Sequence, residues 1–251
     1  MVRQKKLTQK YPKINSAKIN SVKINSPKKY KRQVQPKTNK NVLARKEYTR
    51  DFFHEIKAKT NPFSQFKLWY QDALNEPGIV EANAMALATT AKSGQTSIRM
   101  LLLKKFDQSG FIFFTNYRSK KGKEIELNNR VALLFYWPIL ERQVRLEGSV
   151  SKISRKESLK YFKSRPVGAQ IGANISPQSQ VIKDRKVLEE AYVRFAESHK
   201  NTDIPLPVNW GGYRLTPNYF EFWQGRQDRL HDRLVYKRLS KKKEHSAWKM
   251  L

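Results

Sequence analysis

The sequence predicts a mainly β fold of the α+β class: a small barrel of antiparallel strands with flanking helices. Short runs of β-prone residues are separated by tight, glycine-containing turns, which are typical of antiparallel hairpins. Strands also outnumber long helices and do not alternate regularly with them, which argues against a doubly wound parallel sheet. About 39% of the 251 residues are apolar, which suffices for a core.

Four helices are predicted. The first begins with Asn61 as its cap and a proline at the next position, followed by apolar residues at helical spacing. Ser119 is suited to capping the second, and Ser154 with Glu157 forms a capping-box pattern for the third. The predicted helices span residues 61–76, 119–128, 154–163 and 184–199. The predicted strands are residues 84–91, 96–106, 111–116, 131–137, 142–153, 212–216, 219–224 and 229–237.

The positive charge is concentrated near the start of the chain. Lys and Arg total 51 against 21 Asp and Glu, a net charge of +30. Residues 1–50 hold 16 basic residues and one acid, Glu47, which is half of the excess. A Lys-Ile-Asn-Ser unit recurs every five residues from Lys13, a period that fits neither helix nor strand. We therefore predict a disordered basic low-complexity tail at residues 1–42 and a folded domain at residues 43–251.

Composition excludes several kinds of chemistry. The chain has no cysteine, which excludes thiolate metal sites, iron–sulfur clusters and cysteine nucleophiles. Its four histidines lack metal-ligand spacing, so no metal site is predicted. No run approaches the roughly 20 apolar residues that span a bilayer, and no apolar export segment opens the chain. These features predict a cytoplasmic protein. Solubilisation, tethering to nucleic acid or a membrane surface, and organelle targeting stay open as roles for the tail.

Two clusters of basic and polar residues are candidate sites for an anion. In residues 99–104, Arg99 and Lys104 bracket an apolar strand and are expected on opposite faces of it. In residues 115–121, a strand end runs into a helix start, where backbone N–H groups, hydroxyls and lysines suit a phosphate. A solvated strand end and a solvated basic turn are the respective alternatives.

A third cluster, the densest, follows a Phe-Glu-Phe-Trp-Gln segment. In a strand, Arg229, His231 and Arg233 would project to one face, with Leu230 and Asp232 opposite. Two arginines beside a histidine repel one another unless an anion lies between them, so the pattern favours a negatively charged ligand. Between two cations, His231 is expected to stay neutral and to serve hydrogen bonding or proton transfer.

These motifs together resemble a known family. The segment Phe-Glu-Phe-Trp-Gln at residues 220–224, followed after four residues by Arg-Leu-His-Asp-Arg at residues 229–233, is similar to the signature of the pyridoxine/pyridoxamine 5′-phosphate oxidases. Further similar stretches lie in collinear order over residues 43–248. They are residues 45–48, 81–85, 99–104, 114–116, 140–144, 161–166, 170–173, 205–207 and 210–212.

The resemblance implies an FMN-binding split β-barrel that works as a homodimer with FMN at the subunit interface. It implies oxidation of pyridoxine 5′-phosphate or pyridoxamine 5′-phosphate to pyridoxal 5′-phosphate by O2, with H2O2 released and, from the amine, ammonia. This reaction belongs to vitamin B6 biosynthesis and salvage. Carried over by motif, the residues that would bind FMN are Arg99, Met100, Leu101, Leu102, Leu103, Lys104, Phe114, Thr115, Lys120, Lys121, Gln143, Gln178, Ser179, Trp223 and Arg233.

The same resemblance implies that Arg229 and His231 are catalytic and cover the substrate ring. The implied substrate-binding residues are Arg45, Lys46, Glu47, Tyr48, Lys104, Tyr161, Arg165, Arg229, Leu230 and His231. Two departures stand out. Ala169 occupies a position where the family usually has serine, so one hydroxyl contact to the substrate phosphate is missing. After Trp248 the chain lacks the Arg-Leu-x-Pro ending common in the family, from which weaker FMN binding is expected.

Two other functional classes stay open. The charge favours a nucleic-acid-binding protein that uses the same scaffold without catalysis. The set Arg229 and His231 and the set Lys104, Tyr161 and Arg165 oppose this class. A flavin reductase or haem-degrading relative would not be expected to carry the second set. Nucleic acid is therefore predicted only as a weak partner of the basic tail.

Overall fold

A computed structural model describes residues 47–239 and 248–250, so the predicted tail, Arg45 and Lys46 lie outside the described residues. The helices are α1 (Pro62–Asn75), α2 (Lys120–Leu127), α3 (Arg155–Lys163), α4 (Val167–Ile175) and α5 (Arg185–Ser198). The strands are β1 (Ala84–Thr90), β2 (Thr96–Leu102), β3 (Lys105–Asp107), β4 (Gly110–Asn116), β5 (Arg130–Trp137), β6 (Arg142–Lys152), β7 (Trp210–Gln224), β8 (Asp232–Arg238) and β9 (Trp248–Met250). Within the described residues, no helix combines the length and the apolar character needed to cross a membrane.

The described strands form one antiparallel sheet, which confirms the predicted class. Its order is β2-β1-β5-β6-β7-β4-β3, with β8 paired to β7 and β9 paired to β8. Strand β7 is the centre of this sheet. One of its edges pairs with β6, and the other pairs first with β4 and then with β8. A β-bulge between Glu147 and Gly148 interrupts the long β6–β7 ladder and increases its local bend.

Helix α1 packs its apolar face on the sheet and forms the main core. Phe66 lies edge-on to Phe111 and Phe135, with ring centroids 4.9 and 5.0 Å apart. Trp69, one turn further along, meets Phe222 edge-on at 5.3 Å. All five rings are buried, and such aromatic pairs add about 0.5–1.5 kcal/mol each beyond their burial.

A second, smaller apolar cluster holds α3 and α4 against the start of β7. It contains Phe162 from α3, Ile171 from α4, Ile204 and Trp210. Phe162 meets Trp210 edge-on with ring centroids 5.4 Å apart. The first residue of β7 is therefore fixed to the helices that follow β6.

The predicted helix starts are confirmed by the caps. The side chains of Asn61, Ser119, Ser154 and Asp184 accept hydrogen bonds from the backbone N–H groups of Phe63, Gly122, Glu157 and Val187. Each cap satisfies a donor that the helix itself leaves unpaired and is worth about 1 kcal/mol.

Several elements differ from the prediction. Residues 96–106 form two strands, because the N–H of Lys104 bonds to the carbonyl of Ile112 in β4 and not to β1. Residues 212–216 and 219–224 form one strand, because the bulge opposite Gly148 accommodates Pro217. Helix α4 was not predicted: it begins after Pro166 without a side-chain cap, so the usual start signal is missing.

Arg142, at the start of β6, links the sheet to α1 and to the segment before α1. Its guanidinium lies over the Trp69 ring at 4.6 Å. It donates hydrogen bonds to Asp72 and Asp51 at 2.7 Å each and to Gln224 at 2.8 Å. Arg142 is only 9% exposed, so two carboxylates and an amide compensate a nearly buried charge.

Replacing Arg142 with methionine is expected to lower the free energy of unfolding by about 2–4 kcal/mol, because Gln224 and two carboxylates lose a charged partner. Urea unfolding at fixed protein concentration measures this. The matched control is Arg185→Met, which removes an 88% exposed arginine paired with Glu189 and is expected to change the free energy by about 0.5 kcal/mol or less. Equal losses in the two variants would contradict the linking role of Arg142.

Candidate functional site

A buried lysine marks the start of helix α2. Lys121 is 8% exposed, and its Nζ donates to Gln178 Oε1 at 2.8 Å, Thr115 Oγ1 at 3.2 Å and Ser119 Oγ at 3.3 Å. These three acceptors are neutral oxygens. Ser119 also caps α2, so the ammonium group lies beside the first turn of the helix, where an anion is favoured.

Positive charges outnumber negative ones around Lys121. Burial and the charge of nearby Arg99 lower the pKa of Lys121 to about 8, while Glu124 acts in the opposite direction. Burial alone would raise the pKa of Glu124. Hydrogen bonds from Thr89 and Ser97 and the charge of Arg99 outweigh burial, so this pKa lies below its ordinary value. Glu124 bonds to Arg99 at 3.2 Å. This one carboxylate has three cations near it, Arg99, Lys120 and Lys121, so this region keeps an excess of positive charge.

Most residues predicted for a cofactor phosphate lie close together here. Lys120 is exposed, with its Nζ 3.9 Å from Glu124. Ser179 is exposed, follows Gln178 directly and has a φ of +70°. The residues brought together are Arg99, Thr115, Lys120, Lys121 and Gln178, which we call the α2 group.

Aromatic rings and two cations form a second group at helix α3. Phe114 stacks on Tyr161 with centroids 4.0 Å apart and on Trp210 at 5.4 Å. The guanidinium of Arg165 lies 4.8 Å from the Trp210 ring centre, and Lys104 Nζ lies 6.0 Å from that of Tyr161. Lys104, Phe114 and Tyr161 line a cavity of about 390 Å³. We call Lys104, Phe114, Tyr161 and Arg165 the α3 group.

Arg165 has an unsatisfied donor. Its Nη1 is buried and has no hydrogen-bond partner among the residues that the structure describes. Burial lowers the pKa of Arg165, with Tyr161 acting in the opposite direction. A buried donor without an acceptor costs about 1–3 kcal/mol, which an anion at this position would remove. Ala169, at the third position of α4, supplies no hydroxyl.

A third group surrounds His231. The rings of Tyr48, Trp223 and His231 contact one another, with centroids 5.6, 5.5 and 4.6 Å apart. A Cβ on Gly225 would lie 2.6 Å from the Tyr48 ring, so only glycine fits there. The N–H of Arg226 donates to His231 Nδ1 at 3.0 Å. With Nδ1 accepting, the neutral imidazole carries its proton on Nε2.

The prediction that Arg229, His231 and Arg233 alternate along one strand is wrong. Strand β8 begins only at Asp232, and a short 3-10 turn precedes it. Asp228 and Arg229 have φ values of +53° and +62°, in the left-handed region that residues other than glycine rarely adopt. A strained turn, not a strand, therefore presents Arg229, and period-two spacing does not apply to it.

Three predicted residues form a row across the sheet. Gln143 in β6 is directly opposite Trp223 in β7, which is directly opposite Arg233 in β8. Directly paired side chains project from the same face. Arg233 Nε lies 3.9 Å from the carboxylate of Glu221. Together with Tyr48, Arg229 and His231, the row forms what we call the β8 group.

The remaining predicted residues lie outside these three groups. Met100, Leu101 and Leu102 belong to the edge strand β2, and Leu103 follows it. Met100 is 64% exposed, whereas Leu103 is buried. The expectation that Arg99 and Lys104 project from opposite faces of one strand is wrong, because β2 ends before Lys104. Leu230 is 78% exposed, and Glu47 is exposed at the start of the described chain.

The α3 and β8 groups lie at opposite ends of β7. Arg165 packs on Trp210, the first residue of that strand, whereas His231 packs on Trp223, thirteen residues later. At about 3.3 Å per residue, this is roughly 40 Å along the strand. This separation along the strand favours two distinct binding regions within one protomer.

Sequence reasoning missed one ion pair at the β8 group. Arg226 Nη1 lies 3.0 Å from Asp232 Oδ2. The same oxygen accepts the N–H of Phe53 at 2.7 Å. The sequence held a weak signal, since a cation and an acid flank the loop that contains Arg229 and His231.

Two family models match the chain. The model described as pyridoxamine 5′-phosphate oxidase matches residues 71–198, just over half of the chain. A pyridoxine/pyridoxamine 5′-phosphate oxidase of Trichormus variabilis is 50% identical over 192 residues, which are 76% of this chain and 89% of that protein. The chain belongs to this oxidase family. The corresponding protein of Nostoc punctiforme is 48% identical over 206 residues, 82% of this chain and 94% of that protein.

The family's second model also bears on assembly. The model described as the pyridoxine 5′-phosphate oxidase C-terminal dimerisation region matches residues 210–250. This range contains β7, β8 and β9. The match supports the predicted homodimer for this oxidase-family chain.

Solved structures confirm the split-barrel fold of this oxidase-family chain. PhzG from Burkholderia lata 383, in complex with tetrahydrophenazine-1-carboxylic acid, has a TM-score of 0.73 and 28% identity, covering 80% of this chain and 96% of that one. A pyridoxamine 5′-phosphate oxidase-related, FMN binding protein from Nostoc punctiforme PCC 73102 has a TM-score of 0.60 and 18% identity, covering 77% and 97%. The second likeness concerns the fold alone.

Proposed function

We propose that this enzyme uses FMN to oxidise pyridoxine 5′-phosphate or pyridoxamine 5′-phosphate to pyridoxal 5′-phosphate, in vitamin B6 biosynthesis and salvage. The main observation behind this proposal is that the α2 group and the α3 group are two separate clusters of cations, each suited to binding a phosphate. Both FMN and the substrate carry one phosphate each. The names of relatives about 50% identical to this chain support the same substrates.

The α2 group fits the phosphate of FMN. Lys121 and Arg99 provide charge, and the first turn of α2 provides N–H groups. Lys121 is nearly buried, and its three hydrogen bonds within the described residues go to neutral oxygens, so a phosphate would give it a charged acceptor. In the β8 group, Trp223 offers a ring face and Gln143 an amide for the flavin.

Bound FMN would supply the redox chemistry: a two-electron oxidation of the substrate at C4′, with O2 as the final acceptor and H2O2 as its reduced product. Pyridoxine phosphate and O2 give pyridoxal phosphate and H2O2. Pyridoxamine phosphate also consumes one water and releases ammonia. The protein binds and orients both partners.

The α3 group fits the substrate phosphate. Arg165 has a buried Nη1 without an acceptor, and Lys104 and Tyr161 line the adjoining cavity. A phosphate oxygen would satisfy that nitrogen with a charge-assisted hydrogen bond. Ala169 supplies no hydroxyl, and a lost bond to a charged group costs about 1.5–3 kcal/mol.

Arg229 and His231 hold the substrate ring. Because His231 Nδ1 accepts the N–H of Arg226, its Nε2 proton is the one free to bind the 3-oxygen of the ring. Arg229 adds a cation on the same loop and orients the ring. Both residues position C4′ and assist proton movement.

Each active site draws on two protomers. Because the α3 and β8 groups of one protomer are separated by roughly 40 Å along β7, we infer that the partner provides the β8 group for each substrate. The dimerisation-region match supports this arrangement, because it covers β7 and β8. A homodimer then has two sites with FMN between the subunits.

The test of function uses the purified full chain. A yellow protein that forms pyridoxal phosphate and peroxide from pyridoxine phosphate under air supports the proposal. Tetrahydrophenazine-1-carboxylic acid is the comparison compound, because PhzG was solved with it. Preferential oxidation of that compound contradicts the substrate assignment. A colourless protein with tight, salt-sensitive RNA binding contradicts the enzyme.

Mixed dimers test the shared site. Arg229→Ala/His231→Ala and Lys104→Ala/Arg165→Ala are expected to be nearly inactive alone. Refolded together, half of the dimers are mixed, and each mixed dimer has one site with both halves intact. Activity is expected to return to about one quarter of the wild-type value. If the refolded mixture is no more active than the two variants measured separately, each site lies within one protomer and the proposal is wrong.

The pKa of Lys121 predicts how FMN affinity depends on pH. Below pH 8 the lysine is charged before FMN binds. Above pH 8 the free protein has lost this proton, so binding the phosphate requires proton uptake and the affinity falls, by up to about tenfold per pH unit. FMN fluorescence quenching from pH 7 to 9 at constant ionic strength measures this. Lys121→Arg, which keeps its charge, is the control and is expected to flatten the profile; an unchanged profile contradicts the role of Lys121.

A further inference from the structure

We propose that Arg226 and Asp232 are positioning residues that clamp the loop between β7 and β8 and thereby orient Arg229 and His231. The proposal rests on the proposed function of Arg229 and His231. Neither Arg226 nor Asp232 belongs to the α2, α3 or β8 group. Their role follows from what they connect.

The first connection closes the loop. Arg226 Nη1 lies 3.0 Å from Asp232 Oδ2 and 3.3 Å from Oδ1, so an ion pair joins the second residue of the loop to the first residue of β8. The backbone N–H of Arg226 meanwhile holds His231 Nδ1. One residue therefore fixes both the end of the loop and the histidine ring inside it.

The second connection reaches the segment that carries Tyr48. Asp232 Oδ2 accepts the N–H of Phe53 at 2.7 Å, and the Arg226 guanidinium lies 5.6 Å from the Phe52 ring centre. Tyr48, four residues before Phe52, packs against His231. The ion pair thus connects the loop to the segment of residues 48–53, which also contacts His231 through Tyr48.

Backbone strain gives an independent reason for such a clamp. Asp228 and Arg229 are consecutive residues in the left-handed region, and such conformations persist only where surrounding contacts enforce them. Inside the turn, the N–H of Leu230 bonds to the carbonyl of Gln227 at 3.1 Å. The Arg226–Asp232 pair holds the two ends at the separation that this turn requires.

Loss of the clamp changes a specific property of His231. If the loop relaxes, the Arg226 N–H no longer holds Nδ1, and the ring is free to carry its proton on either nitrogen. The Nε2 donor is then present in only part of the molecules. The clamp therefore acts through the tautomer and orientation of His231, not through contact with the substrate.

Activity of Arg226→Gln, Asp232→Asn and the double variant forms the first arm of the test. Each single variant is expected to lower kcat/KM by about tenfold or more, because small displacements of reacting groups have effects of this size. FMN content per chain is expected to stay at the wild-type value. The double variant is expected to have about the same kcat/KM as the less active of the two single variants, because the two residues act as one unit. Arg226→Lys is expected to restore part of the loss, and Arg185→Gln, which breaks an exposed ion pair, is the matched control.

The second arm does not depend on activity. Nitrogen-15 NMR of ring-labelled histidine reports the tautomer, and His231→Asn assigns the signal of His231. The wild type is expected to show Nδ1 unprotonated, and Arg226→Gln a mixture of both tautomers. An unchanged tautomer in Arg226→Gln overturns the clamp, even if activity falls. If the wild type lacks oxidase activity but the tautomer still changes in Arg226→Gln, the proposed function is refuted and the clamp stands.

Discussion

The length of β7 is the constraint on which the arrangement of the molecule depends. Its first residue, Trp210, is fixed to α3 and α4, and near its other end Trp223 carries the rings of the β8 group. An extended strand cannot shorten, so these two ends stay apart. The sheet therefore carries the two groups at different ends of β7, and under the proposed function the partner protomer completes each site.

The buried cations of this chain fall into two kinds. Arg142 is surrounded by two carboxylates and an amide, and its charge is compensated within the fold. Lys121 has only neutral acceptors, and Arg165 has a buried nitrogen with no acceptor among the described residues. A fold gains no stability from uncompensated buried charge. Under the proposed function, Lys121 and Arg165 are the groups that meet an anion, whereas Arg142 is part of the framework.

Local signals made much of the fold predictable. Caps such as Asn61 and Ser154 act within one helical turn, and glycine-containing turns act within a few residues, so the sequence shows both directly. The cations of the α2 and α3 groups were also recognisable, because their motifs are contiguous. The prediction failed where distant contacts decide. The ends of the turn at Asp228 are joined by contacts among Arg226, Asp232 and Phe53. Pro217 lies in β7 beside a bulge, where residue 218 has no paired residue in β6.

If the active site is formed by two chains, as proposed, catalytic activity depends on the concentration of dimers. Where chains are scarce relative to the dimer's dissociation constant, halving their number leaves about one quarter of the dimers, by mass action. Output then falls more steeply than protein abundance, and ligands that bridge two chains favour the paired state. Under the proposed function, strand β7 thereby makes the activity obtained more sensitive to the amount of enzyme made than it would be with a site inside one chain.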